Sequence, residues 1–546
     1  MSKIPVSSVT QLLDQAVSKH GTASALDFFG RKWTYHELGA LVDQAAAGFR
    51  AMGVRKGVNV GICMPNTPYS VVCYFAILKA GGTVVNYNPL YVERELMHQV
   101  TDSQTRIMVT VDLKMLYGKI DALLSSTKLE SVVVCRMAEI MPANFTPPAT
   151  PSPADELIAV TEDSKHILLG SLIKNGTHFS PDVLTPEKDL AVLQYTGGTT
   201  GVPKGAMLTH ANITVNVAQM QQWIGVTAAP PQDRMLCVLP LFHVFAMTVV
   251  MDLGVSLGAE IILLPRFDLA QTMGIIAKSR PTIVAAVPTI YGAIAAAAAA
   301  NGGKFDMSFV RFAVSGGAPL PVELAQGFAK LTGCHLVEGY GLSETAPVAT
   351  CGPLNAPPTY GSAGLPVPGT RIEIRSAEDP KKKLPVNERG EIVIFGPQVM
   401  AGYWQKPEDT RAVMIDGGFR TGDIGYLDDK GFIYIVDRIK DMILCSGYNV
   451  YPRIIEEAIY LHKDVVGAIV IGIPDSYRGQ SPKAFVQLRE GAKLSEAELT
   501  EFLKDKLSVL ELPKSIEFRD TLPKTTVGKL SKKTLVDEEA AKAAKW

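Results

Sequence analysis

The sequence predicts an α/β protein: a large N-terminal body of parallel-sheet α/β subdomains plus a small barrel-like β unit, then a small α+β C-terminal domain. Three observations lead there. At 546 residues the chain exceeds one hydrophobic core, since domains run to roughly 100–200 residues. Strand-like and helix-like apolar spacings alternate over most of its length, the rhythm of parallel sheets. After Gly361 short strands punctuated by Gly and Pro take over, and beyond Lys440 the chain carries an apolar set of its own.

In order, Val9–His20 has helical spacing, with Val9, Leu12, Leu13, Ala16 and Val17 on one face. Leu26–Phe29 and Lys32–Tyr35 read as short strands around Gly30, and Thr34 is placed to cap a helix over Glu37–Met52. Val58–Met64 and Thr83–Tyr87 are apolar enough for buried strands, with a helix over Thr67–Ala80 between them. Residues 143–186, richer in Pro, Ser and Thr, read as a surface connection. The rhythm resumes with a strand over Ala191–Tyr195, a Gly/Thr-rich loop, and a helix capped by Thr209 or Asn212. Further strands are expected at Met235–Leu239, Glu260–Leu264, Thr282–Val287, Val310–Val314 and His335–Glu338. The barrel-like unit should use Arg371–Ile374, Gly390–Phe395 and Gly431–Val436. The last domain should hold helices at Pro452–Tyr460 and Leu494–Leu507 and strands at Val465–Ile473, Ala484–Leu488 and Ser515–Phe518.

Composition narrows the function classes. A net charge of −1 supplies no global field to recruit nucleic acid or an anionic membrane. Seven cysteines without a CxxC pair argue for reduced thiols, against a disulfide framework or a zinc site. The start, Met1-Ser2-Lys3-Ile4-Pro5, lacks the apolar core of a signal peptide, so a cytoplasmic chain is expected, with peripheral contact with the inner face of the membrane left open. The charge-free run from Thr282 to Gly303 contains Pro288 and is mostly Ala at its end, so it reads as a strand plus an Ala-rich helix and not as a transmembrane segment.

The chemistry centres on Tyr195-Thr196-Gly197-Gly198-Thr199-Thr200-Gly201-Val202-Pro203-Lys204-Gly205. Glycines let backbone N–H groups turn toward an anion, hydroxyls add neutral donors, and Lys204 adds a full charge. No Gly precedes Lys204 and no Ser or Thr follows it, so this is a polyphosphate loop of a kind other than the Walker motif. Ser315-Gly316-Gly317-Ala318-Pro319 allows close backbone approach to a flat base. Glu338-Gly339-Tyr340-Gly341-Leu342-Ser343-Glu344 sets an aromatic face before a carboxylate suited to magnesium. Asp423 stands in a tight turn fit for ribose hydroxyls, and Asp437-Arg438-Ile439-Lys440-Asp441 lies where two units should meet.

Together these segments resemble the acyl-adenylate-forming superfamily of acyl-CoA synthetases, luciferases and peptide-synthetase adenylation domains. Within it, the chain is most similar to bacterial long-chain fatty-acid–CoA ligases. The resemblance spans nearly the whole chain and rests on YTGGTTGVPKGAML (Tyr195–Leu208), GYGLSET (Gly339–Thr345), GPQVMAGYW (Gly396–Trp404), DRIKDMILCSGYNVYP (Asp437–Pro452) and LPKTTVGKL (Leu522–Leu530). It implies an AMP-binding N-terminal domain over residues 1–439 and a mobile C-terminal cap over 440–546.

By the same resemblance, Thr196, Gly197, Gly198, Thr199, Thr200, Gly201 and Lys204 form the phosphate loop, and Gly316, Gly317, Glu338, Gly339 and Tyr340 the adenine site. Ser343 and Glu344 serve AMP and magnesium, Thr199 joins Glu344 as a metal ligand, and Asp423 and Arg438 hold ribose. Lys440 is the hinge, Lys529 the mobile catalytic lysine, and Lys204 and Glu344 complete the catalytic set. Ser446, Gly447 and Arg266 face CoA, and His243 with Phe245 borders the acyl pocket. One departure stands out: where many relatives carry Pro-x-Glu-Ile-Glu after the hinge, this chain has Pro452-Arg453-Ile454-Ile455-Glu456.

The implied reaction joins a fatty carboxylate to ATP, releasing pyrophosphate, and then passes the acyl group from AMP to CoA, with Mg2+ as cofactor. Medium-chain, dicarboxylic and aryl acids remain alternatives, as does a nucleotide- or acyl-binding protein without turnover. Assembly as a homodimer is left open.

Overall fold

The computed structural model describes residues 4–143, 156–175, 179–196, 203–225, 232–300, 302–446, 448–475, 477–525 and 528–543. Among them, four sheets organise the chain. The first has seven strands in the order His166–Leu168, Ser131–Cys135, Thr105–Val111, Asn59–Ile62, Thr83–Asn86, Leu190–Thr196 and Lys204–Thr209. All pair in parallel except the last, which runs antiparallel to Leu190–Thr196.

The second sheet has nine strands. Its parallel centre runs Leu336–Gly341, Phe312–Gly316, Ile283–Ala286, Arg234–Cys237, Glu260–Leu263 and Ser24–Phe28. Antiparallel strands close both edges, with Arg31–Thr34 on one side and Val348–Cys351 followed by Leu365–Pro366 on the other. The helix Pro68–Lys79 is buried from Pro68 through Leu78, as expected of a helix that is apolar all round. Both sheets contribute to one continuous apolar core.

A five-stranded antiparallel sheet follows: Arg371–Arg375, Gly390–Phe395, Gly418–Leu427, Met414–Ile415 and Ile433–Arg438. Its apolar side chains, Ile372, Ile374, Ile392, Ile394 and Ile433 among them, gather a small core of their own. Beyond Arg438, residues from Ile443 to Ile516 form a further separate core around the long pair Val465–Asp475 and Gly479–Leu488. Among the described residues, no helix is long and apolar enough to cross a membrane.

The expected element types hold over most of the chain, with five differences. The connection at 143–186 carries an edge strand, His166–Leu168, and a helix, Leu169–Asn175. After the phosphate loop the chain does not enter a helix directly; it first returns as the antiparallel strand Lys204–Thr209. Asp423, expected in a tight turn, stands instead within the ten-residue strand Gly418–Leu427, which is partnered on both sides and only partly buried, so its glycines and polar residues hid it. The segment after Lys529, for which no element was expected, forms a helix, Lys532–Ala543. The helix expected over Leu494–Leu507 is shorter, Glu496–Leu503, opened by a reciprocal cap between Ser495 and Glu498.

The helix His210–Ile224 fixes the angle between these units. The Thr209 hydroxyl caps it by accepting from the Asn212 N–H at 3.1 Å. Its buried amides reach outward: Asn216 exchanges hydrogen bonds with the Val348 backbone at 2.8 and 3.0 Å. Asn212 donates to the Pro397 and Val399 carbonyls at 2.9 Å, and Gln219 to the Pro368 carbonyl at 2.7 Å. Replacing Thr209 with Ala is expected to cost about 0.5–2 kcal/mol of stability. The check is the denaturant midpoint of the body, where an unchanged midpoint would show that the cap is not supporting this helix.

Candidate active site

Strands of the two parallel sheets end beside one another, where Thr196 of the first reaches Glu344 just beyond the second, and strand ends are the usual location of ligands in open α/β sheets. From the first sheet comes the hairpin that flanks the phosphate loop, with Thr196 opposite Lys204 in register. Gly197, Gly198, Thr199, Thr200 and Gly201 lie outside the described residues. The Lys204 ammonium meets the Asp409 carboxylate at 2.5 Å and lies 5.5 Å from the centre of the Tyr403 ring.

The second sheet supplies the glycine turn and the aromatic strand. Gly316 and Gly339 are paired neighbours on adjacent parallel strands. A Cβ on Gly316 would meet the Phe245 ring at 3.1 Å, so the acyl-site candidate Phe245 packs directly under this turn. Gly317 has φ +77°, and a Cβ there would lie 2.9 Å from Cε of Lys529. Gly317 therefore has to be glycine for its conformation, and the end of the Lys529 side chain lies against it.

Lys529 arrives from the C-terminal unit. The Gly528 carbonyl accepts from the Thr289 hydroxyl at 3.0 Å, which seats the lysine-bearing loop on the helix Pro288–Ala300. Burial, with Arg438 nearby, pushes the Lys529 ammonium down to about 8. Burial chiefly, with Lys529 contributing, also pushes His243 down to about 3, so its imidazole is neutral at ordinary pH. The His243 Nδ1 accepts from the Phe245 N–H at 3.2 Å.

Two carboxylates are buried beside these cations, each held by a phenol. Tyr403 donates to Glu344 at 2.8 Å, and Thr196 reaches the same oxygen at 3.5 Å. Tyr340 donates to Asp423 at 2.7 Å, and Arg438 pairs with Asp423 at 3.2 Å. Burial raises the pKa of both acids, opposed at Glu344 chiefly by the Tyr403 hydrogen bond and at Asp423 chiefly by Arg438. Glu338, also buried, is pushed up to about 7 by burial, with Arg453 of the C-terminal unit opposing. Ser343 begins the single helical turn Ser343–Thr345 that sets Glu344 in place.

Not every expected residue converges. Arg266 is exposed between the strand Glu260–Leu263 and the helix Leu269–Ser279. Lys440 is exposed in the turn Ile439–Asp441, beside the ties that dock the C-terminal unit: the Arg453 N–H donates to Asp437 at 2.8 Å, and Lys532 pairs with the same carboxylate at 3.9 Å. Ser446 is exposed with φ +52°, its N–H bonded to the Arg478 carbonyl at 2.8 Å, and Gly447 lies outside the described residues. Ile454 packs against the core of the C-terminal unit, so the departure from the acidic pattern puts an apolar side chain where it is partly buried. Tyr403 and Asp409, which touch Glu344 and Lys204, were missed; both belong to the Gly-Tyr-Trp segment or its continuation, but no spacing marked them as partners.

Residues 13–404 match the AMP-binding enzyme family, and residues 454–529 its C-terminal domain. A long-chain-fatty-acid–CoA ligase of Bacillus subtilis is 40% identical over 539 residues, which cover 98% of this chain and 95% of the relative. A feruloyl-CoA synthase of an Amycolatopsis species is 34% identical, over 93% of this chain and 94% of the relative. Among solved structures, ATP-bound MatB from Rhodopseudomonas palustris is similar with a TM-score of 0.84 and 28% identity, covering 97% of this chain and 99% of that one.

The phenol on Asp423 provides a direct test of the site's electrostatics. Tyr340→Phe removes a hydrogen bond to a buried, charged acceptor, and such bonds are worth about 1.5–3 kcal/mol. A lowered denaturant midpoint is the expected reading; an unchanged midpoint would mean that Arg438 alone satisfies Asp423.

Proposed function

The chain belongs to the AMP-binding enzyme family, and from that premise we propose that it is an ATP-dependent, AMP-forming long-chain fatty-acid–CoA ligase. The observation that carries the reaction type is Lys529, delivered by the C-terminal unit onto the Gly316–Gly317 turn of the body. The acyl class is supported by the near full-length similarity to a long-chain-fatty-acid–CoA ligase. We take residues 1–439 as the AMP-binding domain and 440–546 as its cap.

A carboxylate is a poor acylating agent because its leaving group would be oxide. In the first half-reaction the fatty carboxylate attacks the α-phosphorus of ATP, forming acyl-AMP and releasing pyrophosphate. The protein's task is positioning and charge neutralisation, as in phosphoryl transfer generally. Lys204 and the Thr196–Gly201 loop hold the departing phosphates. The purine lies between Tyr340 and the Gly316–Gly317 turn, bounded by Glu338 and Gly339, and Asp423 with Arg438 holds the ribose. Lys529 brings its ammonium to the carboxylate and α-phosphate, where negative charge is shared. Neutral His243 and Phe245 border the acyl chain without adding a competing charge.

Magnesium fits this donor set: buried Glu344, with Thr199, would hold it together with phosphate oxygens, neutralising polyphosphate charge.

In the second half-reaction the CoA thiol attacks the acyl carbon and AMP leaves. We assign that step to a rotation of the cap about Lys440, which would withdraw Lys529 and present Ser446 and Gly447, with Arg266 contacting CoA. The cap's separate core and its few polar ties to the body are what such a rotation needs.

Lys529→Ala should lower acid-dependent pyrophosphate release by about 10²–10³, the scale of deleting a transition-state donor. Thioester formation from supplied acyl-AMP should be spared, and equal loss in both halves would reject the division of labour. Because burial pushes the Lys529 ammonium down to about 8, kcat/KM for adenylation should fall as pH rises through that value, and Lys529→Arg should abolish the fall. A profile flat to pH 10 in the native enzyme would exclude the ammonium as the acting species. Pyrophosphate release and thioester formation over a panel of long-chain, medium-chain, dicarboxylic and aryl acids tests the substrate class. The similarity to feruloyl-CoA synthase makes aryl acids the competing reading.

A further inference from the structure

The ion pair between Lys204 and Asp409 is not a loose surface contact. The Lys204 side chain is only 14% exposed, and its ammonium lies 2.5 Å from the carboxylate. The segment that carries Asp409 is fastened on both sides of it. Lys406 pairs with Asp102 at 3.0 Å, and the Tyr195 hydroxyl, at the start of the phosphate loop, donates to the same carboxylate at 2.6 Å. The Thr410 hydroxyl donates to the Lys406 carbonyl at 2.9 Å and accepts from the Tyr403 N–H at 2.9 Å. Asp409 is therefore held facing Lys204 by the same frame that holds the loop's first residue.

An ammonium has three N–H donors and one charge. A carboxylate oxygen at hydrogen-bond distance takes up a donor direction and much of that charge, the same resources a phosphate oxygen would use. It also sets a negative charge beside any polyphosphate that Lys204 holds, and the two anions repel.

We propose that Asp409 is a positioning residue that competes with polyphosphate for Lys204, weakening the loop's hold so that pyrophosphate leaves after adenylation. The inference deepens the proposed ligase reading and rests on it. Asp409 touches the lysine and acts through it.

The test is equilibrium binding of pyrophosphate, ATP and AMP, at fixed ionic strength, to the full chain and to the Asp409→Asn, Lys204→Ala and doubly substituted proteins. Removing one exposed partner of an ion pair shifts affinities modestly, so Asp409→Asn should tighten pyrophosphate and ATP by about two- to fivefold. AMP, which lacks the departing phosphates, should bind as before and so reports that the site is folded. The gain should shrink as salt is raised and vanish in the Lys204→Ala background. Unchanged or weaker pyrophosphate binding, an equal shift for AMP, or the same gain without Lys204 would overturn the proposal. A native chain that binds none of the three ligands would overturn the ligase reading itself, and the proposal with it.

Discussion

The site depends on a helix that must satisfy its amides inside the protein. His210–Ile224 is buried along most of its length, and Asn212, Asn216 and Gln219 lie where water does not reach. Each unsatisfied buried polar group would cost about 1–3 kcal/mol, so their partners are fixed points: Val348 on the second sheet's edge, Pro397 and Val399 next to the antiparallel sheet, and Pro368 between them. The helix is the direct continuation of the hairpin that flanks the phosphate loop. Its amides thus tie the hairpin that bears Thr196 and Lys204 to the second sheet and to the chain beside the antiparallel sheet, with hydrogen bonds that tolerate little change of register.

Charge at the site follows a similar logic. Glu344 and Asp423 are buried, and burial alone would drive them toward the neutral form. Phenols from Tyr403 and Tyr340 donate to them, and Arg438 adds its charge at Asp423, so Glu344 is stabilised by a neutral donor and Asp423 by a neutral donor and a counter-charge together. Lys529 stands apart, since its ammonium comes from a unit with its own core, seated through a few polar contacts around Gly528, Arg453 and Lys532. An interface of that kind releases a lysine more readily than an apolar one would.

The element types were largely legible because apolar periodicity reports burial directly. Thr34, Thr67 and Ser495 cap helices whose starts the sequence marks, and the Gly316–Gly317 turn was readable as a close approach. Sheet membership was not legible. The strand Ser24–Phe28 pairs with Glu260–Leu263, so the chain's first strands close the far side of the second sheet. Leu190–Thr196, which reads as the opening of a second unit, completes the first sheet instead. Periodicity says that a strand is buried but not which neighbour buries it, since backbone hydrogen bonding is the same for every partner.

The sequence by itself determined the chemistry on offer: a glycine- and threonine-rich loop with its lysine, an aromatic strand, two carboxylates, and a second lysine near the far end. Those follow from residue type and local order, and the motifs made the AMP-binding family recognisable. The tertiary structure decided which of these groups meet. Gly317 accommodates Lys529, Tyr403 holds Glu344 and Asp409 faces Lys204 across long stretches of chain. Such contacts depend on how sheets and helices dock over a shared core, and docking is a property of packed surfaces that no local spacing encodes.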